Sequence, residues 1–534
     1  MTQLVELKQN RTLLQTDFPG YKLSLQDIPK LTINLSSKVN IVEPNNEQYT
    51  FKHAKLFSLH NHILASEVDE LEGTEAIYYI GDDRLIYKIE SDILGLEEKC
   101  MNWEVPFLDS NYNCTMVFPD KNFAVVSNGS RNIYILDRKD EWRCIYNETN
   151  DFSCVILDSK IFQNVLHLIL FAIVADNEET SEKRSEHKSV IYWVQYECCN
   201  GIWSRKSIEE MQSRSELHYA FLSTDTNLYI VSSDGGFVNE DNDGLKNTFF
   251  TWSQTDESVT IYMLATIAHI VDQQITIKNK EEIVLDEILY DKIDSSQNVI
   301  INDGGIMEIM LYKETAAMWP ELIQSKPSLG EYQHDPKTAK NILKQFVGFL
   351  EPRETFATKQ STLTDQIEDC DFATSKWSLI ERITPEKIVS HRVLHTQEIV
   401  FVDSALQQFA VHQNDDICIY QPCSNSEWNL EHTGTLFALG YVRASKLRRK
   451  FTTCAPDLSY SIIAEGGRHI FVYRQNVDVT SGELRHRRSG RHVKQLALQQ
   501  VIELEADDNI WGVKASNTVL FVLSEHKVHV FKMN

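Results

Sequence analysis

The sequence predicts an all-β chain, an irregular, seven-bladed β-propeller interrupted once by a smaller β module. Two observations predict the ring. Short β-branched or aromatic runs recur in pairs around turn-forming clusters. Successive turns fall roughly 45 to 55 residues apart, near the period of a four-stranded blade. A third observation predicts the interruption: the pairs stop after Gly236, a polar acidic stretch runs from Asn239 to Asn247, and the pattern resumes near Ile399. Two packed sandwiches would also be all-β. Regular turn spacing favours radial repetition, which leaves only short, protected sheet edges.

The paired runs give seven units in chain order. The first joins Ile77–Ile80 to Leu85–Ile89 across Gly81-Asp82-Asp83, and the second joins Phe123–Ser127 to Ile133–Leu136 across Asn128-Gly129. The third links Val165–Val174 to Val190–Val194 through the acidic loop Asp176 to Lys188, and the fourth runs from Leu228–Val231 across Ser233-Asp234-Gly235-Gly236. Beyond the interruption come Ile399–Val402, Phe409–Val411 and Ile417–Tyr420, then Ser461–Ala464 with Ile470–Tyr473, then Val519–Leu523 with Val528–Phe531. Trp142, Trp203 and Trp428 each follow a hairpin, as expected of aromatic packing between neighbouring blades. The Gly-His and Trp-Asp signature of WD40 repeats is absent, hence an irregular ring. Residues 1–245 and 373–534 are expected to close it together. The loop that carries the guest costs little because its ends stay close. Residues 324–372 read as a linker. Within it Asp335-Pro336 is an N-cap and first-turn pair, opening a helix near 336–350 with the apolar stripe Ala339, Ile342, Leu343, Phe346 and Leu350.

Composition narrows the function classes. The 534 residues carry a formal net charge of −25, which repels phosphate backbones and argues against direct nucleic-acid binding. Two basic patches run against this balance, Arg443 to Lys450 and Arg485 to Arg491, and are read as solvated loops. No run reaches the roughly 18 apolar residues of a membrane helix. Met1 to Asn10 lacks the apolar core of a secretory signal. The ten cysteines contain no Cys-x-x-Cys and suit reduced, mostly buried thiols better than a zinc site or a disulfide framework. A phosphate-cradling glycine loop, a nucleophile elbow and a His-Glu-x-x-His pair are all absent, so no catalytic residue, cofactor or metal site is expected. As a strand, Phe57 to His62 would put His60 and His62 on one face. Two histidines without a third ligand are better read as polar turn residues.

The interrupting module, residues 248–323, carries the most specific pattern. It opens with Phe250-Thr251-Trp252-Ser253-Gln254, followed at strand alternation by Val259, Ile261 and Met263. It closes with Met307, Ile309, Leu311 and Lys313, then Trp319-Pro320-Glu321-Leu322. This segment resembles the CS domain, the compact antiparallel β-sandwich of the NudC family and the p23-type Hsp90 co-chaperones. The resemblance to the NudC family extends to Gly20–Leu25, Gly440–Lys446, Lys450-Phe451, Cys454-Ala455-Pro456, Phe471–Gln475 and Gln495–Leu504, and so covers nearly the whole chain. It departs from the CS pattern at Asn298–Ile301, which lacks a tryptophan often present there, and between Ile283 and Leu289, where a turn between two strands is missing.

The resemblance implies a non-enzymatic co-chaperone or client adaptor in cytoplasm and nucleus, with Hsp90-type chaperones and client proteins as partners and no small-molecule substrate. The competing expectation is a scaffold subunit of a ribonucleoprotein or vesicle-coat assembly in which the CS domain is purely structural. In the CS segment Met307, Ile309 and Leu311 should face one side of their strand, and Glu308, Met310 and Tyr312 the other. Tyr262, Tyr312 and Lys313 are the expected partner-facing groups. Phe250, Trp252, Gln254, Trp319, Pro320 and Leu322 are signature positions with a structural role.

Overall fold

The computed structural model describes most of the chain. The longer stretches outside the described residues are 176–186, 238–249, 324–377, 424–429, 443–448 and 479–494; the rest are both chain ends and short loop positions. The helix expected near 336–350, Trp428, Pro320 and nearly all of both basic patches therefore lie outside the described residues.

Seven sheets, each built on four antiparallel strands, form a ring, and six of them match a hairpin unit of the sequence. Blades 1, 2 and 3 span residues 65–104, 115–149 and 155–213. Blades 5, 6 and 7 use 399–436, 449–503 and 510–532. Blade 4 is composite. Leu217–Leu222 and Leu228–Ser233 come from before the interruption, Ser378–Ile383 and Val389–His395 from after it. The local hairpin expected across Ser233–Gly236 does not form. Leu228–Ser233 pairs instead with Ser378–Ile383, and Ser233 sits directly opposite Ser378.

Inner blade strands have both faces covered, so they read as unbroken apolar runs. In Thr74–Ile80, Ile77 and Tyr79 pack toward blade 7, whereas Tyr78 and Ile80 pack toward blade 2. The same two-residue period splits Val165–Ala175: Ile169, Phe171 and Ile173 face blade 4, and Leu166, Leu168 and Leu170 face blade 2. Successive apolar clusters then join blade 4 to 5 through Phe221 and Tyr420, blade 5 to 6 through Ile417 and Ile463, and blade 6 to 7 through Val472 and Val522. Blade 7 returns to blade 1 through Phe521 and Ile77, so the circle is closed. Trp142 and Trp203 fill the junctions of blades 1–2 and 2–3. One turn demands glycine: Gly129 has φ +72°, and a Cβ there would lie 1.8 Å from the Tyr112 carbonyl oxygen.

The described residues among the first 34 form a belt around the outside of the later blades. Gln3–Val5 adds in parallel to the outer strand of blade 4, and Tyr21–Leu23 does the same on blade 6. Lys30–Asn34 is the antiparallel outer strand of blade 7. Between these, Gln9 and Asn10 bond Cys418 and His432 of blade 5. Leu7 and Leu14 enter the 4–5 junction, Tyr21 the 5–6 junction, Ile28 the 6–7 junction and Ile33 the 7–1 junction. Beyond the belt, Thr50 caps the helix Phe51–Ser58, accepting from the His53 amide. The strand conditionally considered for Phe57 to His62 is thus a helix end followed by a turn.

Candidate interaction surfaces

The interrupting module is a two-layer sandwich. One sheet has the strand order Phe250–Gln254, Ser258–Leu264, Ile306–Tyr312, Val299–Asp303; the other has Ile267–Val271, Gln274–Asn279, Glu282–Ile288. Its core is self-contained, built from Trp252, Ile261, Ile277, Ile309, Trp319 and Leu322 with their neighbours. Met307, Ile309 and Leu311 face inward, while Glu308, Met310 and Tyr312 are half-buried on the opposite face. The missing turn after Ile283 is accommodated by one continuous strand, Glu282–Ile288, with a register shift opposite Ile277/Lys278.

The opening and closing motifs meet in a polar clasp. The Gln254 side chain accepts from the Trp319 amide at 2.8 Å and donates to the Trp319 carbonyl at 2.7 Å. Lys313 Nζ donates to Gln254 Oε1 (2.8 Å), Thr255 O (2.7 Å) and Ala317 O (2.6 Å), and lies 5.4 Å from the centre of the Trp319 ring. Leu322 O accepts from the Tyr290 amide, and Ile323 bridges Leu289, tying the end of the module to its middle. The clasp accounts for a lysine and a glutamine in this pattern: a buried ammonium is tolerated only when its donors are met.

This geometry corrects two of the three partner-facing residues. Lys313 is buried with its charge turned inward to three oxygens, so it closes the module rather than meeting a partner. Tyr262 is 1 % exposed and donates to Glu308 at 3.4 Å. Only Tyr312 keeps partial exposure. Trp252, Trp319 and Leu322 are buried core residues. At Asn298–Ile301, where the tryptophan of the CS pattern is missing, Val299, Ile300 and Ile301 stand 42 %, 45 % and 47 % exposed.

The ring offers a second surface. The innermost strands of all seven blades surround a cavity of about 550 Å³, and Lys52, Lys55 and Leu56 of the Phe51–Ser58 helix line it as well. Lys55 pairs with Glu216 and approaches His218 Nδ1 at 3.3 Å, while Lys52 donates to the His187 carbonyl. Lys514 and Asp403 pair across the wall at 3.4 Å. Burial pushes the Asp158 carboxyl up to about 7, although the Ser159 and Leu222 amides both donate to it. At one side His60 and His62 meet edge to face with ring centres 4.5 Å apart, and His62 meets Trp511 in the same way. Lys450 Nζ lies 4.3 Å from the Trp511 ring. Burial, with Lys450 nearby, pushes His60 down to about 4 and His62 well below its ordinary value. Among the described residues no group of three metal-ligating side chains converges.

Fold and surfaces together define a class: a closed propeller that carries a CS-type sandwich spliced into one blade. No family model matches the sequence. Similarity to curated proteins runs over the full chain. NudC domain-containing protein 1 of Xenopus tropicalis is 27 % identical over 594 aligned positions, covering 99 % of this chain and 98 % of that protein. The chain is thus similar over its full length to NudC domain-containing protein 1. Among solved structures, the nuclear movement protein of E. cuniculi is 25 % identical, covering 14 % of this chain and 98 % of its own, with a TM-score of 0.14. The beta-propeller domain of Cps50 (Swd1) from Myceliophteria thermophila is 6 % identical over 89 % of this chain and 97 % of its own, with a TM-score of 0.32. The similarity to NudC domain-containing protein 1 indicates no enzyme family.

Three features of these surfaces escaped sequence reasoning. The clasp role of Lys313 depends on Ala317 O and Thr255 O, backbone atoms with no sequence signature. The cavity-lining helix did leave a signal in Thr50 ahead of His53 and Phe57, spaced for one helix face. The edge-to-face contact of His62 with Trp511 had none, because Trp511 lies on a blade at the far end of the chain.

Proposed function

We propose that this chain is a non-enzymatic adaptor that links Hsp90-type chaperones to selected client proteins in cytoplasm and nucleus. The sandwich contacts one partner and the ring the other. The observation that carries the reading is the splice itself. A module with its own core emerges between two strands that lie side by side in blade 4, so it rides on a ring that closes without it. Two contact surfaces on one chain raise the effective concentration of one partner for the other without new chemistry. The full-length likeness to NudC domain-containing proteins supports the same reading.

Affinity capture tests it with a chain in which residues 241–374 are replaced by a short glycine–serine turn. Loss of chaperones with retention of other partners is the expected result. An unchanged partner list would reject the adaptor in favour of a scaffold in which the sandwich is only structural.

A further inference from the structure

We infer that the strand Val299–Asp303 is a docking edge for an extended, positively charged segment of a partner protein, which adds to the sandwich as a new strand beside it. The inference rests on the sandwich being a partner-binding module and specifies what that module takes. Among the described residues Val299–Asp303 is the last strand of its sheet, and its ladder partner there is Ile306–Tyr312. Its register is unbroken, Val299 opposite Met310, Ile300 opposite Ile309 and Ile301 opposite Glu308. Val299 and Ile301 therefore share the outer face, and Ile300 points to the core side. Ile309 across from it is fully buried, yet Ile300 is 45 % exposed. The sandwich therefore covers this strand only partly on either face.

Exposed apolar edges are a liability that proteins blunt with lysine, proline, a bulge or a covering strand. On the ring this chain uses those devices. The belt covers the outer strands of blades 4 and 6. The outer strands Leu96–Glu104 and Ile202–Ser213 carry charges and bulges. At the edge of the other sandwich sheet, Ile267–Val271 alternates exposed positions with Ala268 and Ile270 packed on the core. Val299–Asp303 has no lysine, no proline, no bulge and no covering strand among the described residues. A strand of this kind matches recognition by β-addition, in which main-chain bonds give affinity and side-chain slots give selectivity.

Charge selects the occupant. Residues 248–323 hold 13 Asp and Glu against 4 Lys and no Arg. One of those lysines, Lys313, is locked inside the clasp. Glu308 lies directly across from Ile301 on the outer face. A segment alternating small apolar with basic residues meets both the aliphatic slots and the anionic surroundings. A second copy of this chain, with net charge −25, meets repulsion instead.

The test uses the full chain and a synthetic heptapeptide of alternating valine and lysine. Binding is read by fluorescence anisotropy and its place by amide hydrogen exchange. Expected are protection centred on Val299–Asp303 and at least tenfold weaker binding when the central residue is proline or when glutamate replaces lysine. The variant Val299→Thr, Ile300→Thr, Ile301→Thr, with an unchanged circular dichroism spectrum, should also bind at least tenfold more weakly. Equal binding by the variant, protection elsewhere, or self-association of the free chain through this strand would overturn the inference. The capture experiment with residues 241–374 removed judges the adaptor reading separately, so either can fail while the other stands.

Discussion

Lys313 illustrates how a charged residue in an apolar segment can be structural. Its ammonium satisfies Gln254 Oε1, Thr255 O and Ala317 O at once, and these groups close the two ends of the sandwich on each other. Replacing it with methionine keeps the length but removes the charged donor shared by Gln254 Oε1, Thr255 O and Ala317 O, leaving Gln254 Oε1 with the Trp319 amide. The expected cost is about 1–3 kcal/mol, read as an earlier urea midpoint by tryptophan fluorescence, since Trp319 lies against the lysine. An unchanged midpoint would mean that the clasp is incidental. The histidines of the cavity wall make a second prediction at this scale. Burial holds His60 at about 4 in the folded chain, below its ordinary 6.5. A depressed histidine leaves the folded state with fewer protons than the unfolded one. Stability is therefore complete above pH 6.5 and is lost as pH falls from there toward 4. By pH 5 His60 alone should account for roughly 2 kcal/mol, and His62 shifts in the same direction. Denaturant melts at pH 7.5 and pH 5 should separate clearly, and His60→Gln should narrow the gap. An equal gap in wild type and variant would assign the acid sensitivity to other groups.

At the scale of the element, most of the ring was legible because the signal is local. Each blade brings two runs such as Thr74–Ile80 and Leu85–Ser91 into contact through a short turn, and burial on both faces makes those runs continuously apolar. The belt was illegible for the opposite reason. Its strands Gln3–Val5 and Tyr21–Leu23 are three residues long and pair in parallel with partners near residues 391 and 498. Neither length nor alternation distinguishes them from coil. What identifies them is distant: Tyr21 donates to the Phe437 carbonyl and accepts from Gln475. The fourth hairpin failed for the same physical cause, since Leu228–Ser233 finds its partner only after the guest module. In the sandwich the end motifs were legible as a pair, whereas the inward turn of Lys313 and the burial of Tyr262 were not. Strand alternation tells which face a residue takes but not what lies against that face. Belt and guest are also linked in logic. The guest divides blade 4, and the belt ties that blade to blades 5, 6 and 7 from outside, so the ring does not depend on chain continuity through the guest.

For the whole molecule this makes the boundary of the guest a sharp question, and Phe237 answers it. Although it follows the last strand before the interruption, Phe237 is 1 % exposed in the junction of blades 3 and 4, and its amide donates at 2.6 Å to Glu381, a fully buried carboxylate of blade 4. It belongs to the ring and not to the linker. Two excisions should then behave differently. Replacing residues 241–374 with a short turn retains Phe237 and exchanges a long loop for a short one, which lowers closure entropy by a few kcal/mol at most. The ring should keep its β spectrum and a thermal midpoint at or above that of the full chain. Replacing 234–377 joins Ser233 to Ser378, ideally placed as cross-strand neighbours, yet it removes an aromatic core residue and one donor to a buried charge. Loss of a buried phenylalanine alone costs about 3–5 kcal/mol. The second excision should therefore melt several degrees below the first. Equal midpoints for the two would show that Phe237 serves the guest, and that the ring ends where blade 4 first runs out of strand.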